Sequence, residues 1–304
     1  AYAGACRALY SYQRKLIFRP LPDIIRTPAD IGLPYEDVWI PTDLRANQPT
    51  DLLANPLVNS LVNPLTDQPN EQLHGWWLPN PGNRQTLLFC HGNYGNISYN
   101  LERIHFYYNL GFSVLAFDYR GYGQSVSTNL IKPVPTESST CADAETAWQY
   151  LTQTRKIRPE NITIMGHSMG GAIAINLAAQ HPNAAHLIVA SSFTTMQDAV
   201  HAKKIYGLFP IQQLLTEPFD SLSKVQKLRM PVLYVHGEQD RDVPAEMSQR
   251  LYEASPQPKQ LWLVPDSGHN DIATTAAAQY QKTVEAFLDS AQNSSQSSAV
   301  TVAA

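Results

Sequence analysis

The stretch NITIMGHSMGGAIAINLAAQ, residues 161–180, sets Ser168 between two near glycines where a β-branched run gives way to an alanine-rich one. A serine hydroxyl is a poor nucleophile until a base takes its proton. It must also stand clear of the chain to meet a substrate. A sharp strand-to-helix turn achieves this, but it strains the serine and crowds its neighbours. Glycine two positions either side, here Gly166 and Gly170, relieves the crowding because it has no Cβ. The helix that follows aims its N-terminus at the serine, where free N–H groups can stabilise developing negative charge. The chemistry this spacing suggests is nucleophilic attack by Ser168.

Such a serine needs a base, and the base needs an acid to hold its tautomer. At a strand–turn–helix serine the chain order is nucleophile, acid, histidine. Five histidines follow Ser168. His181 comes too early, directly before a proline. His186 opens a strand, His201 falls in an irregular segment, and His236 ends a strand. His269, in VPDSGHND, falls in the loop between the last predicted strand and the last helix, and is the candidate base. The acid should follow the preceding strand, where VHGEQDRDVP offers Glu238, Asp240 and Asp242. Asp240 is favoured. Asp242 reads as a turn or helix-start residue, Glu238 is the weaker alternative, and Asp266 lies too close to His269 in the same loop. An oxyanion needs two N–H donors. Met169, after the nucleophile, supplies one. The loop HGNYGN after TLLFC supplies the other, from Asn93 first or Tyr94 second, with Gly92 allowing close approach.

The elements that must position these groups form a regular series. Short strands are expected at 37–40, 73–78, 86–90, 113–119, 161–165, 186–190, 231–237 and 260–265. Helical spacing joins Ile97, Leu101, Ile104 and Tyr108, then Cys141, Ala144, Trp148 and Leu151. Further helices fit 169–180, 245–254 and 271–289. Strands alternating with helices require crossovers, hence an α/β fold with a mostly parallel central sheet and helices on both faces. Residues 1–36 read as an N-terminal arm packed on the core, and 37–290 as the catalytic domain. The segment 44–71, with NPL repeated, reads as an exposed loop insertion. Residues 191–228 read as a short lid. The tail 291–304 reads as disordered.

The chain has 304 residues, 43% hydrophobic and 16% charged, with a formal net charge of −4. That suits a globular protein and gives no basic stripe for nucleic acid. Three cysteines without CxxC spacing argue against a disulfide framework and against a zinc site. Cys90 and Cys141 read as small core residues.

The motifs QRKLIFRP, CHGNYGNIS, FDYRGYGQS, GHSMGG, SSFTTMQD, PVLYVHGEQDRDVP and SGHND together resemble the α/β-hydrolases. More narrowly they resemble the Bem46-like group, related to the ABHD13 and ABHD17 hydrolases. The likeness covers about residues 11–290. It implies a serine hydrolase with Ser168, Asp240 and His269 as triad and Asn93 and Met169 at the oxyanion positions. Asp118, Arg120 and Ser125 would brace the site from below. The resemblance implies no cofactor and no metal. The expected partner is a small-molecule ester or acyl substrate. Family members often carry a hydrophobic anchor before the QxxLIFxP stretch, so membrane association through a segment absent from this chain is expected. The family's tight turn between the first strands is replaced here by the NPL insertion. Within the lid, Phe193, Met196, Tyr206 and Phe209, with Ile205, Leu208 and Phe219, are candidates to line an acyl pocket. An ester or thioester is the first expectation and a peptide the second. A non-catalytic binding protein would be signalled by loss of a triad residue, and none is lost.

Overall fold

The computed structural model describes residues 2–42, 71–82, 85–125, 134–203, 206 and 208–301, of which 291–301 are described as backbone only. The NPL insertion, apart from Glu71, and Ile205 lie outside the described residues.

In chain order the first elements are α1 (Tyr2–Ile17), β1 (Arg19–Pro20), β2 (Glu36–Pro41), β3 (Gln72–Leu78), β4 (Thr86–Cys90), β5 (Tyr94–Gly95), α2 (Leu101–Asn109) and β6 (Ser113–Phe117). There follow α3 (Glu137–Gln149), β7 (Ile162–His167), α4 (Met169–Gln180), β8 (His186–Ala190), α5 (Met196–Ala202), α6 (Ile211–Leu214) and α7 (Ser221–Val225). The chain closes with β9 (Val232–Gly237), α8 (Glu246–Ala254), β10 (Lys259–Val264), α9 (Ile272–Thr275) and α10 (Ala277–Thr301).

Eight strands form one sheet in the order β10-β9-β8-β7-β4-β6-β3-β2. Pairing is antiparallel for β2 with β3 and β3 with β6, and parallel from β6 through β10. The parallel strands are apolar on both faces, and β4 shows why. Leu88 and Cys90 join the core on one face, with Ala144 and Trp148 of α3 and Ile173 of α4. Leu87 and Phe89 join the core on the other, with Ile104 of α2 and Val284 and Phe287 of α10. A strand buried on both sides cannot alternate apolar with polar, which is why these runs read as uninterrupted.

Two elements differ from the sequence reading. The helix expected over 271–289 is broken at Ala276, leaving the single turn α9 before α10. The tail expected to be disordered from 291 instead continues α10 to Thr301. Residues 291–301 contain neither Gly nor Pro, so nothing in them stops a helix already nucleated on the core. No helix of the described residues is long and apolar enough to cross a membrane.

The N-terminal helix is tied to the segment after α5. Gln13 Nε2 donates to the Leu214 carbonyl (2.8 Å), Gln13 Oε1 accepts from the Thr216 amide (2.8 Å), and Arg14 pairs with buried Glu217 (2.6 Å).

Candidate active site

β7 ends at His167 and α4 begins at Met169, so one residue makes the whole turn. That residue is Ser168, with φ 56° and ψ −124°. A side chain in this region costs about 1–3 kcal/mol and persists only where its surroundings over-determine it. Here the Ser168 amide donates to the Ala190 carbonyl (2.9 Å), and its carbonyl accepts from Ser192 Oγ (2.8 Å). The glycines are required by contact. A β-carbon on Gly166 would collide with the Gly170 carbonyl, and one on Gly170 with the carbonyls of Cys90 and His91.

The loops after β10 and β9 bring His269 and Asp240 to this turn. Ser168 Oγ lies 3.0 Å from His269 Nε2, and His269 Nδ1 lies 2.7 Å from Asp240 Oδ2. Asp240 Oδ1 accepts from the amides of Asp242 (2.8 Å) and Val243 (2.9 Å). Burial alone would raise the Asp240 pKa. Hydrogen bonds from His236 and His269, the charge of His269 and the Val243 amide outweigh it and hold the carboxyl well below its ordinary range. The alternatives lie elsewhere: Asp242 is exposed and pairs with Lys203 (3.3 Å), and the Glu238 side chain is exposed.

Sequence reasoning passed over two histidines. His236 ends a strand, and its Nε2 lies 3.0 Å from Asp240 Oδ2 and 2.9 Å from the Val243 carbonyl. Both are acceptors, so Nε2 carries the proton and Nδ1 accepts from Ser248 Oγ (2.7 Å). The signal was the four-residue spacing of His236 and Asp240 across the turn. His167, beside the serine, has Nε2 2.9 Å from the His269 carbonyl. Burial, then the Arg103 guanidinium and the His269 ring, holds its pKa well below the imidazole value, so it is neutral at pH 7.

The loop between β4 and β5 faces Ser168. A β-carbon on Gly92 would stand 3.5 Å from Ser168 Cβ. The Asn93 carbonyl accepts from the Arg19 amide (2.9 Å) and the Tyr122 hydroxyl (2.9 Å), and its Nδ2 donates to the Ile17 carbonyl (2.8 Å). These bonds pin the loop while no described backbone carbonyl takes the amide of Asn93 or of Met169. The Tyr94 ring is exposed, under the Arg19 guanidinium (5.1 Å). Below the loop, the Asp118 carboxylate accepts from the Ile97 amide (2.8 Å) and Ser125 Oγ donates to the Asp118 carbonyl (2.6 Å). Arg120 pairs with Asp143 (2.6 Å) and Glu71 (3.0 Å).

Ser168 and His269 open onto a cavity of 820 Å³. Phe193, Met196 and Tyr206 line it, as do Leu9, Leu16 and Ile17 of α1. Phe209 does not line it. Its ring stacks on Tyr2 of α1 (centroids 6.1 Å apart) because the segment after α5 turns that face to the N-terminal helix. Leu208 is 78% exposed, and Phe219 is buried against Phe18 and Phe193. Among the described residues no cluster of three His, Cys, Asp or Glu could hold a metal ion. Cys90 is fully buried, whereas Cys141 is only half-buried.

A family model described as serine aminopeptidase, S33, matches residues 81–223. Uncharacterized protein Rv2307c of Mycobacterium tuberculosis is 32% identical over 273 residues, 88% of this chain and 84% of that protein. Human alpha/beta hydrolase domain-containing protein 17B is 32% identical over 197 residues, 63% of this chain and 62% of its own length. Among solved structures, the Pyrococcus furiosus esterase Pf2001 superposes with a TM-score of 0.68 at 21% identity, covering 90% of this chain and 97% of that one.

Proposed function

This chain belongs to the α/β-hydrolase family, and from that premise we propose that it cleaves a small-molecule carboxylic ester or thioester through an acyl-enzyme on Ser168. The observation that carries this reading is the relay from Ser168 Oγ through the His269 ring to Asp240, at 3.0 and 2.7 Å, opening on the cavity. His269 takes the hydroxyl proton as Oγ attacks the acyl carbon, and Asp240 stabilises the imidazolium. The oxyanion is held by the amides of Met169 and Asn93, with that of Tyr94 as the alternative to Asn93. His269 then gives its proton to the leaving group, the acyl-enzyme forms, and water activated by the same ring releases the acid. The apolar acyl group lies against Phe193, Met196 and Tyr206.

A peptidase is the second reading, because the matching family model bears that description. A panel of p-nitrophenyl esters against aminoacyl-p-nitroanilides separates the two. A fluorophosphonate probe should label Ser168 in the folded protein. Ser168→Ala should lose label and turnover, the latter on the order of 10⁴-fold or more. Absence of labelling in wild-type protein would instead indicate a binding protein that has kept the fold.

A further inference from the structure

Arg103 of α2 lines the same cavity. Its Nη2 lies 3.0 Å from Asn270 Oδ1, 3.4 Å from the Asn270 carbonyl and 3.1 Å from His167 Nε2, and Nη1 lies 3.3 Å from Asn100 Oδ1. None of these groups is negatively charged, and His167 Nε2, which donates to the His269 carbonyl (2.9 Å), cannot also accept from Nη2. Among the described residues no carboxylate comes within ion-pair distance of it. The carboxylates on the same rim are engaged elsewhere, Glu102 with Arg26 (3.4 Å) and Asp242 with Lys203 (3.3 Å). Other half-buried arginines are paired: Arg120 with Asp143 and Glu71, Arg155 with Glu36. A guanidinium offers five N–H donors in a fork suited to carboxylate or phosphate. Here Nε donates to no described group. Burial pulls the Arg103 pKa down, the sign of a cation short of a counter-charge.

The position also matters. Leu9, Leu16, Met196, Val200, Leu214 and Leu215 give the cavity apolar lining, while Asn100 and Asn270 join Arg103 by hydrogen bonds in one polar cluster on it. An acyl chain belongs on the first, which leaves the second to the leaving group. We infer that Arg103 binds an anionic group, a carboxylate or a phosphate, on the leaving-group side of the scissile bond. The inference rests on the hydrolase reading and narrows its substrates to esters or thioesters of anionic alcohols or thiols.

Three matched esters test it: para-butanoyloxybenzoate, para-butanoyloxyphenyl phosphate and the neutral methyl para-butanoyloxybenzoate. Wild-type protein should favour one or both anions in kcat/KM, and the arm favoured says which anion the site takes. Arg103→Met should lower the anion-to-neutral ratio about 10- to 100-fold, mainly through KM, with Arg103→Lys retaining part of it. No preference in wild-type, or an unchanged ratio in Arg103→Met, overturns the inference. Should the Met variant not fold, Arg103→Gln, polar but uncharged, decides by the same ratio. Calorimetry on Ser168→Ala separates the two readings, because it needs no turnover. Arg103-dependent anion binding without any wild-type hydrolysis would keep the anion site and remove the hydrolase. Equal binding of all three esters would remove the anion site alone.

Discussion

Asp240 shows how one carboxylate is prepared by its neighbours. Four donors converge on it: two backbone amides on Oδ1, and His236 and His269 on Oδ2. The buried His236 ring fixes the direction of Oδ2, and through it the His269 tautomer. His236→Leu should therefore lower kcat about 10-fold with little change in KM, as loss of an outer hydrogen bond does at comparable sites. His236→Gln keeps a donor and should recover most of kcat. Equal loss in Leu and Gln variants would assign His236 to packing instead.

The element that matters most is the β7–α4 junction. Nothing but glycine fits at Gly170, whose Cα faces the carbonyls of Cys90 and His91 at the end of β4. Gly170→Ala should push α4 away from β4, at a cost of about 1–3 kcal/mol by the usual scale of overpacking. Thermal melting and fluorophosphonate labelling check this, and both should fall. An unshifted melting temperature would mean that the junction is looser than the contacts imply. The strands and most helices were legible from sequence because each carries a short apolar run or a 3.6-residue period. The break at Ala276 and the helical 291–301 were not, because no capping residue or breaker marks either. The inward turn of Phe193 and the outward turn of Phe209 were equally hidden, since both are aromatic residues in one irregular segment.

At the scale of the whole molecule, buried histidines set the response to acid. Burial pushes the His186 pKa down to about 4 from an ordinary 6.5, and holds that of His167 well below the same value. The unfolded chain binds protons at these sites near pH 6.5 and the folded one does not. These two sites lower stability as pH drops from 6.5 toward 4, by at most about 1.4 kcal/mol per pH unit for each group, while Asp143, whose carboxyl burial pushes up to about 6, opposes part of the fall below pH 6. His74 acts oppositely. Burial lowers its pKa, but the Asp118 carboxylate 3.9 Å away and the hydrogen-bonded Asp37 (3.0 Å) outweigh this and leave it raised. Its contribution is present below pH 6.5 and is lost as pH rises through the folded value. Melting temperature against pH should decline on the acid side of 6.5, and His186→Gln should flatten that decline. An identical slope in the variant would locate the acid sensitivity elsewhere.

The sequence by itself determined the layered α/β architecture, the junction at Ser168 and the residue types able to act with it. Local rules suffice for these: apolar runs make buried strands, and glycine marks close approach. Tertiary structure alone decided that Phe209 turns to the N-terminal helix rather than the cavity, and that Arg103 faces the cavity with no carboxylate of the described residues in ion-pair distance. Those facts depend on where separate loops end in space, and spacing along a chain does not encode that.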